Sequence, residues 1–69
     1  MNTITVIANG KKHTAPERCP LPEFLAGLNL APERVVVERN GDALTPAEAR
    51  AILLAEGDQL EIVRLVPGG

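Results

Sequence analysis

The chain has 69 residues, 45% of them hydrophobic, and a formal net charge of −2 at pH 7. This length suffices for one small domain, which buries only about 60% of the surface of its unfolded chain and is therefore marginally stable. The negative charge argues against binding to nucleic-acid backbones, which requires clustered Lys and Arg. Phe24 is the only aromatic residue, so stacking on bases is also disfavoured and the core must be aliphatic. We therefore expect no nucleic-acid partner.

The single cysteine, Cys19, excludes an internal disulfide. The first residues lack the charged region and apolar run of a secretory signal, and no stretch approaches the ~20 apolar residues of a membrane span. We expect a cytoplasmic protein with no membrane partner. The neighbouring Arg18 could lower the pKa of the Cys19 thiol and make it a nucleophile. We favour a structural role for Cys19, because no second cysteine is available to resolve a disulfide.

The first predicted element is a β-hairpin. Asn9-Gly10 separates two extended segments, and this dipeptide is typical of a type I′ turn, which requires positive φ at both positions. Alternation along the first strand predicts two faces. We expect one face to carry Ile4, Val6 and Ala8, and the other to carry Thr5 and Ile7.

A helix is predicted next. Leu21, Phe24, Leu25 and Leu28 occur at i, i+3, i+4 and i+7, which makes one apolar stripe on a helix. Pro22 and Glu23 suit a first helical turn. The helix should end near Leu28, where Gly27 and Asn29 interrupt the pattern.

The second half predicts a strand at Val35–Glu38, a turn at Asn40-Gly41 and a second helix. Thr45-Pro46-Ala47-Glu48 has the pattern of a capping box with proline at the first helical position. We expect this helix to direct Ala49, Ile52 and Leu53 inward. Glu56-Gly57-Asp58 predicts a turn before a last strand over Gln59–Val66. Because a lone hairpin is unstable, this strand must join the first hairpin under a helix, in an α+β fold.

Patterns of common catalytic and metal sites are missing from the sequence. His13 is the only histidine, so neither a histidine-based metal cluster nor a Ser-His-Asp triad can form. The carboxylates show no spacing that favours acid–base chemistry, and no phosphate-binding glycine loop is present. We therefore expect no catalytic residues, no metal and no bound cofactor.

Four features together resemble the ThiS family of sulfur carriers in thiamine thiazole synthesis, which has the ubiquitin-like β-grasp fold. They are Asn9-Gly10 after the first strand, VVVERNG at 35–41, EGDQLEIV at 56–63 and the final Gly68-Gly69. The chain departs from the family pattern at Asp42–Pro46, in CPLPEF at 19–24, and at Pro67. The resemblance implies one β-grasp domain over residues 1–69, with 67–69 as a flexible tail. It also implies a mixed sheet of four to five strands, with one main and one short helix on one face.

The resemblance also implies a function as a protein substrate rather than an enzyme. A ThiF-type enzyme would use ATP to adenylate the carboxylate of Gly69, and a sulfur donor protein would then supply sulfur to give a thiocarboxylate. A ThiG-type thiazole synthase would receive that sulfur. Glycines lack a Cβ and suit a narrow channel, whereas proline has a fixed φ. The segment expected to enter the partner's channel comprises Val66, Pro67, Gly68 and Gly69.

Apolar residues on the outer face of the sheet predict a docking patch beside this tail. An exposed aliphatic cluster usually marks an interaction site, although scattered surface apolar residues are normal. The predicted patch comprises Thr5, Ile7, Val36, Val63 and Leu65.

Other functions remain open from the sequence. The same tail would suit a sulfur carrier for molybdopterin or another sulfur metabolite, or a ubiquitin-like modifier or interaction domain. An enzyme built on Cys19 is a more remote alternative. Two terminal glycines are also compatible with a frayed chain end that has no function.

Overall fold

The structure is a computed structural model that describes residues 2–65. The predicted tail at 67–69, and with it all four predicted channel residues from Val66 to Gly69, lies outside the described residues. The described chain contains five strands, two short helices and one 3-10 turn. They are β1 (Thr3–Ala8), β2 (Lys11–Pro16), α1 (Leu21–Gly27), the 3-10 turn Pro32–Arg34, β3 (Val35–Arg39), β4 (Asp42–Ala43), α2 (Pro46–Ala51) and β5 (Gln59–Arg64).

The five strands form one mixed sheet in the order β2-β1-β5-β3-β4. The first and last strands are neighbours, as predicted from the sequence; they run parallel, whereas every other pair is antiparallel. The mixed sheet with two helices confirms the predicted α+β, β-grasp fold. β5 is the central strand of the sheet, and it is the last element of the described chain before Gly68-Gly69 in the sequence.

Both Asn-Gly pairs form the predicted turns, with positive φ at Asn9, Gly10, Asn40 and Gly41. Their asparagine side chains also bind β5. Asn9 Nδ2 donates to the Ile62 carbonyl at 3.1 Å, and the Ile62 N–H donates to Asn9 Oδ1 at 2.7 Å. On the other side of β5, the Gln59 N–H donates to Asn40 Oδ1 at 2.9 Å. The two turns therefore hold the central strand from both sides.

The core lies between the inner face of the sheet and α1. Ile4, Val6 and Ala8 are buried, which confirms the inner face predicted for β1, and Leu60 and Ile62 of β5 are buried with them. The predicted stripe of α1 is also confirmed, because Leu21, Phe24 and Leu25 are buried and Leu28 packs at the margin of the core. A core of aliphatic side chains with one phenylalanine and one cysteine joins these two layers.

One prediction for the second helix is wrong. Leu53 is 41% exposed, whereas Leu54 is only 2% exposed. The helix ends at Ala51, and Ile52 is already extended, with φ −76° and ψ 148°. The Leu54 N–H then donates to the Cys19 carbonyl at 2.8 Å. Side chains therefore alternate with a period of two here, which turns Leu53 outward and Leu54 inward.

Candidate functional site

The candidate site begins where β5 ends. The strand stops at Arg64, and the next residue, Leu65, is still held because its N–H donates to the Arg34 carbonyl at 2.8 Å. Gly69 is four residues further on. Since an extended chain spans at most ~3.6 Å per residue, Gly69 lies within about 14 Å of Leu65. Any partner that acts on Gly69 must therefore approach this end of the sheet closely.

Three residues of the predicted docking patch lie together at this end. Val36 on β3 is the register partner of Val63 on β5, and directly opposed residues have side chains on the same face. Leu65 is two residues beyond Val63 and, by alternation, continues the same face. Val36, Val63 and Leu65 are 43%, 60% and 53% exposed. We call these three residues the tail-side patch.

The other two predicted patch residues, Thr5 and Ile7, lie elsewhere on the sheet. Ile7 is the register partner of Gln59, four residues before Val63, which corresponds to about 13 Å along a strand. Both are half-buried, and the Thr5 N–H donates to Glu56 Oε1 at 3.0 Å. The structure therefore divides the predicted patch. The sequence could not show this, because alternation gives the face of a residue but not the register between parallel strands.

An apolar groove of about 400 Å³ opens beside the tail-side patch. It runs between α1, α2, the 3-10 turn and β3, and Val36 and Leu65 belong to both features. The lining also includes Leu25, Leu44 and Pro46. No sequence pattern predicts this groove, because it depends on how segments distant in the chain come together.

A buried carboxylate, Asp58, holds the opposite end of β5. Asp58 Oδ2 lies 2.9 Å from Arg39 Nη2 and accepts a bond from the Ala55 N–H at 2.8 Å, while Oδ1 accepts from Asn40 Nδ2 at 3.2 Å. Burial by itself raises the pKa of Asp58, but the hydrogen bonds from Ala55, Asn40 and Arg39 and the charge of Arg39 outweigh it. The pKa of Asp58 therefore lies below its ordinary value. This group stabilises the fold as an anion and is not placed for proton transfer.

Cys19 is buried, and its Sγ–H donates to the Pro20 carbonyl at 3.5 Å. Burial, and secondarily the charge of Glu23, raises the pKa of the Cys19 thiol. The suggestion that Arg18 lowers this pKa is wrong, because the thiol faces the core and Arg18 is exposed. A buried thiol with a raised pKa is a poor nucleophile, which favours the structural role.

The remaining predicted residues also occupy structural positions. His13 is half-buried on β2, and its ring meets the edge of Phe24 at a centroid distance of 5.7 Å. Within residues 2–65, no three His, Cys, Asp or Glu side chains are grouped so that they could hold a metal ion. Over the same residues, no helix has the length and apolar character needed to cross a membrane.

Comparisons with known protein sequences reveal two similarities. The sequence model of the ThiS family matches residues 2–69. A thiazole synthase from Magnetococcus marinus is 41% identical over 61 residues, which are 88% of this chain but only 19% of that protein. The chain therefore spans about a fifth of the length of this curated relative.

Two solved structures share the fold. The crystal structure of a thiamine biosynthesis protein (ThiS) from Geobacter metallireducens is similar with a TM-score of 0.77 and 32% identity, covering 96% of this chain and all of that one. The solution structure of a designed protein based on human ubiquitin is similar with a TM-score of 0.58 and 23% identity, covering 100% of this chain and 98% of that one. The second similarity concerns the fold alone.

Proposed function

Since the chain belongs to the ThiS family of sulfur carrier proteins, we propose that it carries sulfur for thiamine thiazole synthesis as a thiocarboxylate on Gly69. The observation that carries this proposal is the extent of the family match, which runs through residue 69 and so includes Gly68-Gly69. The proposal requires a mature chain whose carboxyl terminus is Gly69. The position of β5 at the centre of the sheet, directed toward these glycines, supports it.

The proposed chemistry activates a poor electrophile. An oxygen of the Gly69 carboxylate attacks the α-phosphorus of ATP on a ThiF-type enzyme and releases pyrophosphate. A donor that supplies sulfur at the oxidation level of sulfide then attacks the acyl carbon and displaces AMP. The product is a thiocarboxylate, whose sulfur is a good nucleophile because its charge lies on a soft atom. ATP belongs to the partner in this scheme, and this chain supplies the acyl group.

Two features suit the chain to the role of substrate. The Leu65 N–H bond to Arg34 fixes the last described residue at the end of β5, so the position from which the tail departs is defined. Gly68 and Gly69 present no Cβ to a narrow active site and tolerate positive φ. Pro67 restricts the backbone just before them. A defined base followed by two unhindered residues suits delivery of a carboxylate into a partner.

The partner that receives the sulfur is proposed to be a ThiG-type thiazole synthase. A region similar to this chain lies within a single polypeptide named thiazole synthase. Joining a domain of this kind to a synthase in one chain raises their effective concentration, which favours transfer between them. We propose that the tail-side patch docks on these partners, with Thr5 and Ile7 in a more distant contact.

The proposal is tested by measuring the intact mass of the protein purified from its own host. The measurement is repeated after incubation with a ThiF-type enzyme, ATP and a sulfur source. Replacement of one oxygen by one sulfur, mapped to Gly69, is expected. If the protein has the mass of the unmodified chain under both conditions, carrier function is refuted. Linkage of the Gly69 acyl group to a lysine would instead identify a modifier. If only a synthase of another pathway consumes the thiocarboxylate, the assignment to thiazole synthesis is wrong.

Gly69→Ala provides a sharper test of the role proposed for Gly69. The added Cβ displaces the carboxylate, and a misplacement of about 1 Å can cost a reaction about 100-fold. We expect ATP–pyrophosphate exchange to slow by up to that factor. Gly27→Ala is the matched control, since a Cβ at Gly27 meets nothing within 4 Å and its φ is not positive. Equal exchange rates for the native chain and both variants would exclude a positioning role for Gly69.

A further inference from the structure

The tail-side patch continues into a pair of acidic residues on the same sheet face. Glu38 and Glu61 are register partners, directly beyond the Val36 and Val63 pair. All four side chains are exposed, and directly opposed residues have Cβ atoms about 5 Å apart. The outer face therefore presents two valines beside two carboxylates, and we call these four residues the acid–valine block.

Neither carboxylate forms an ion pair within 4 Å in the part of the chain that the structure describes. Across residues 2–65 the ion pair present joins Arg39 to Asp58, so Arg39 is directed away from the neighbouring Glu38. On the opposite side of Glu38, the register partner is Ala43. Like charges directly opposite each other destabilise a sheet. Folding therefore gives no reason for this pair, whereas a partner with a positive charge does.

The short tail keeps this block close to any enzyme that acts on Gly69. Gly69 is six residues beyond Val63, so the two lie within about 22 Å of each other. An enzyme that holds the Gly69 carboxylate in its active site must therefore come close to the sheet face at this end. The acid–valine block is exposed there and includes two residues of the tail-side patch. The tail and the block are thus within reach of one partner surface.

We propose that the acid–valine block docks the adenylating enzyme by accepting one of its arginine side chains between Glu38 and Glu61. This inference rests on the proposed function, because it assumes that Gly69 is adenylated. A guanidinium has five donors in a planar fork and can bond two carboxylates whose Cβ atoms are about 5 Å apart. Its aliphatic stem, or an adjacent apolar residue of the enzyme, packs against Val36 and Val63. Lysine, as a single point charge, fits this pair less well.

The isosteric variants Glu38→Gln and Glu61→Gln test the docking surface. We expect each to raise the KM for this chain in ATP–pyrophosphate exchange by about tenfold or more, with kcat little changed. The salt dependence of KM should also weaken. Glu17→Gln is the matched control, because Glu17 is exposed, lies in the loop after β2 and undergoes the same loss of charge.

A second measurement separates docking from folding. Removal of one member of a like-charge pair should leave the urea midpoint of unfolding unchanged or raise it, while KM rises. A purely structural role for the glutamates would lower the midpoint and would not raise KM selectively. If the native chain supports ATP–pyrophosphate exchange and both variants have the same KM as the native chain, the docking proposal alone is overturned. Absence of exchange with the native chain would overturn the proposed function and this inference with it.

Discussion

Asp58→Asn is the substitution whose effect on stability the structure specifies best. The Asp58 side chain is almost fully buried, and its two oxygens accept bonds from Arg39, Asn40 and the Ala55 N–H. Asparagine keeps the size and one acceptor oxygen, but it removes the charge and replaces an acceptor with a donor. That donor faces the groups that formerly donated to Oδ1 or Oδ2. The variant therefore loses the ion pair and at least one hydrogen bond.

The expected loss is about 2 kcal/mol. Hydrogen bonds to charged groups contribute about 1.5–3 kcal/mol each, and breaking a buried ion pair costs about 3–5 kcal/mol. We use about 2 kcal/mol, a value within the range for hydrogen bonds to charged groups, because Arg39 retains 29% side-chain exposure and can be solvated after the change. Domains have about 0.05–0.15 kcal/mol of stability per residue, so 2 kcal/mol is a large fraction here. The thermal midpoint should fall by about 10 °C.

The pH dependence of this difference provides the critical assay. Because the folded pKa of Asp58 is depressed, its stabilisation is present above the unfolded value of about 3.9 and is lost as pH falls through the folded pKa. Urea unfolding followed by circular dichroism should show the native chain and Asp58→Asn converging at acidic pH. Asp42→Asn, at an exposed position on β4, is the control. A difference of the same size at pH 7 and below the folded pKa would refute the role of the charge.

Two further predictions concern side chains that bind the backbone. Asn9→Ala loses both bonds to Ile62 and places alanine at φ +49°, so it should cost about 2 kcal/mol in urea unfolding. Asn9→Asp keeps one acceptor and should cost less, and equal costs would contradict this account. Thr45→Ala removes the capping box formed with Glu48 and should cost about 1 kcal/mol, while Thr45→Ser should cost little. If Thr45→Ser is as unstable as Thr45→Ala, the hydroxyl is not the source of the effect.

Local signals in the sequence were sufficient for most of the fold. Asn9-Gly10 and Asn40-Gly41 predict their turns because few other residues adopt positive φ at two successive positions. The spacing of Leu21, Phe24 and Leu25 predicts the buried face of α1 because a helix repeats every 3.6 residues. These signals depend on neighbours in the chain, and they do not need the tertiary structure.

Features set by contacts between distant segments could not be predicted in this way. The spacing of Leu53 predicts that it continues the apolar face of α2, but pairing with Pro20 makes this segment extended. The role of Asp58 depends on Arg39, nineteen residues away, and the sequence showed only a turn there. The division of the docking patch depends on the register of β1 against β5. Each of these misses concerns tertiary pairing rather than local propensity.

The distribution of burial along β5 explains how one strand can serve both stability and delivery. Its first half is anchored by Asp58 and buries Leu60 and Ile62. Beyond Ile62 the next residues, Val63 to Leu65, are exposed, although Leu65 remains bonded to the Arg34 carbonyl. A partner can therefore cover this end of the strand without opening the core. The buried side chains of Leu60 and Ile62 and the exposed side chains of Glu61 and Val63 lie on opposite faces of one strand, so variants should affect stability and the proposed docking separately.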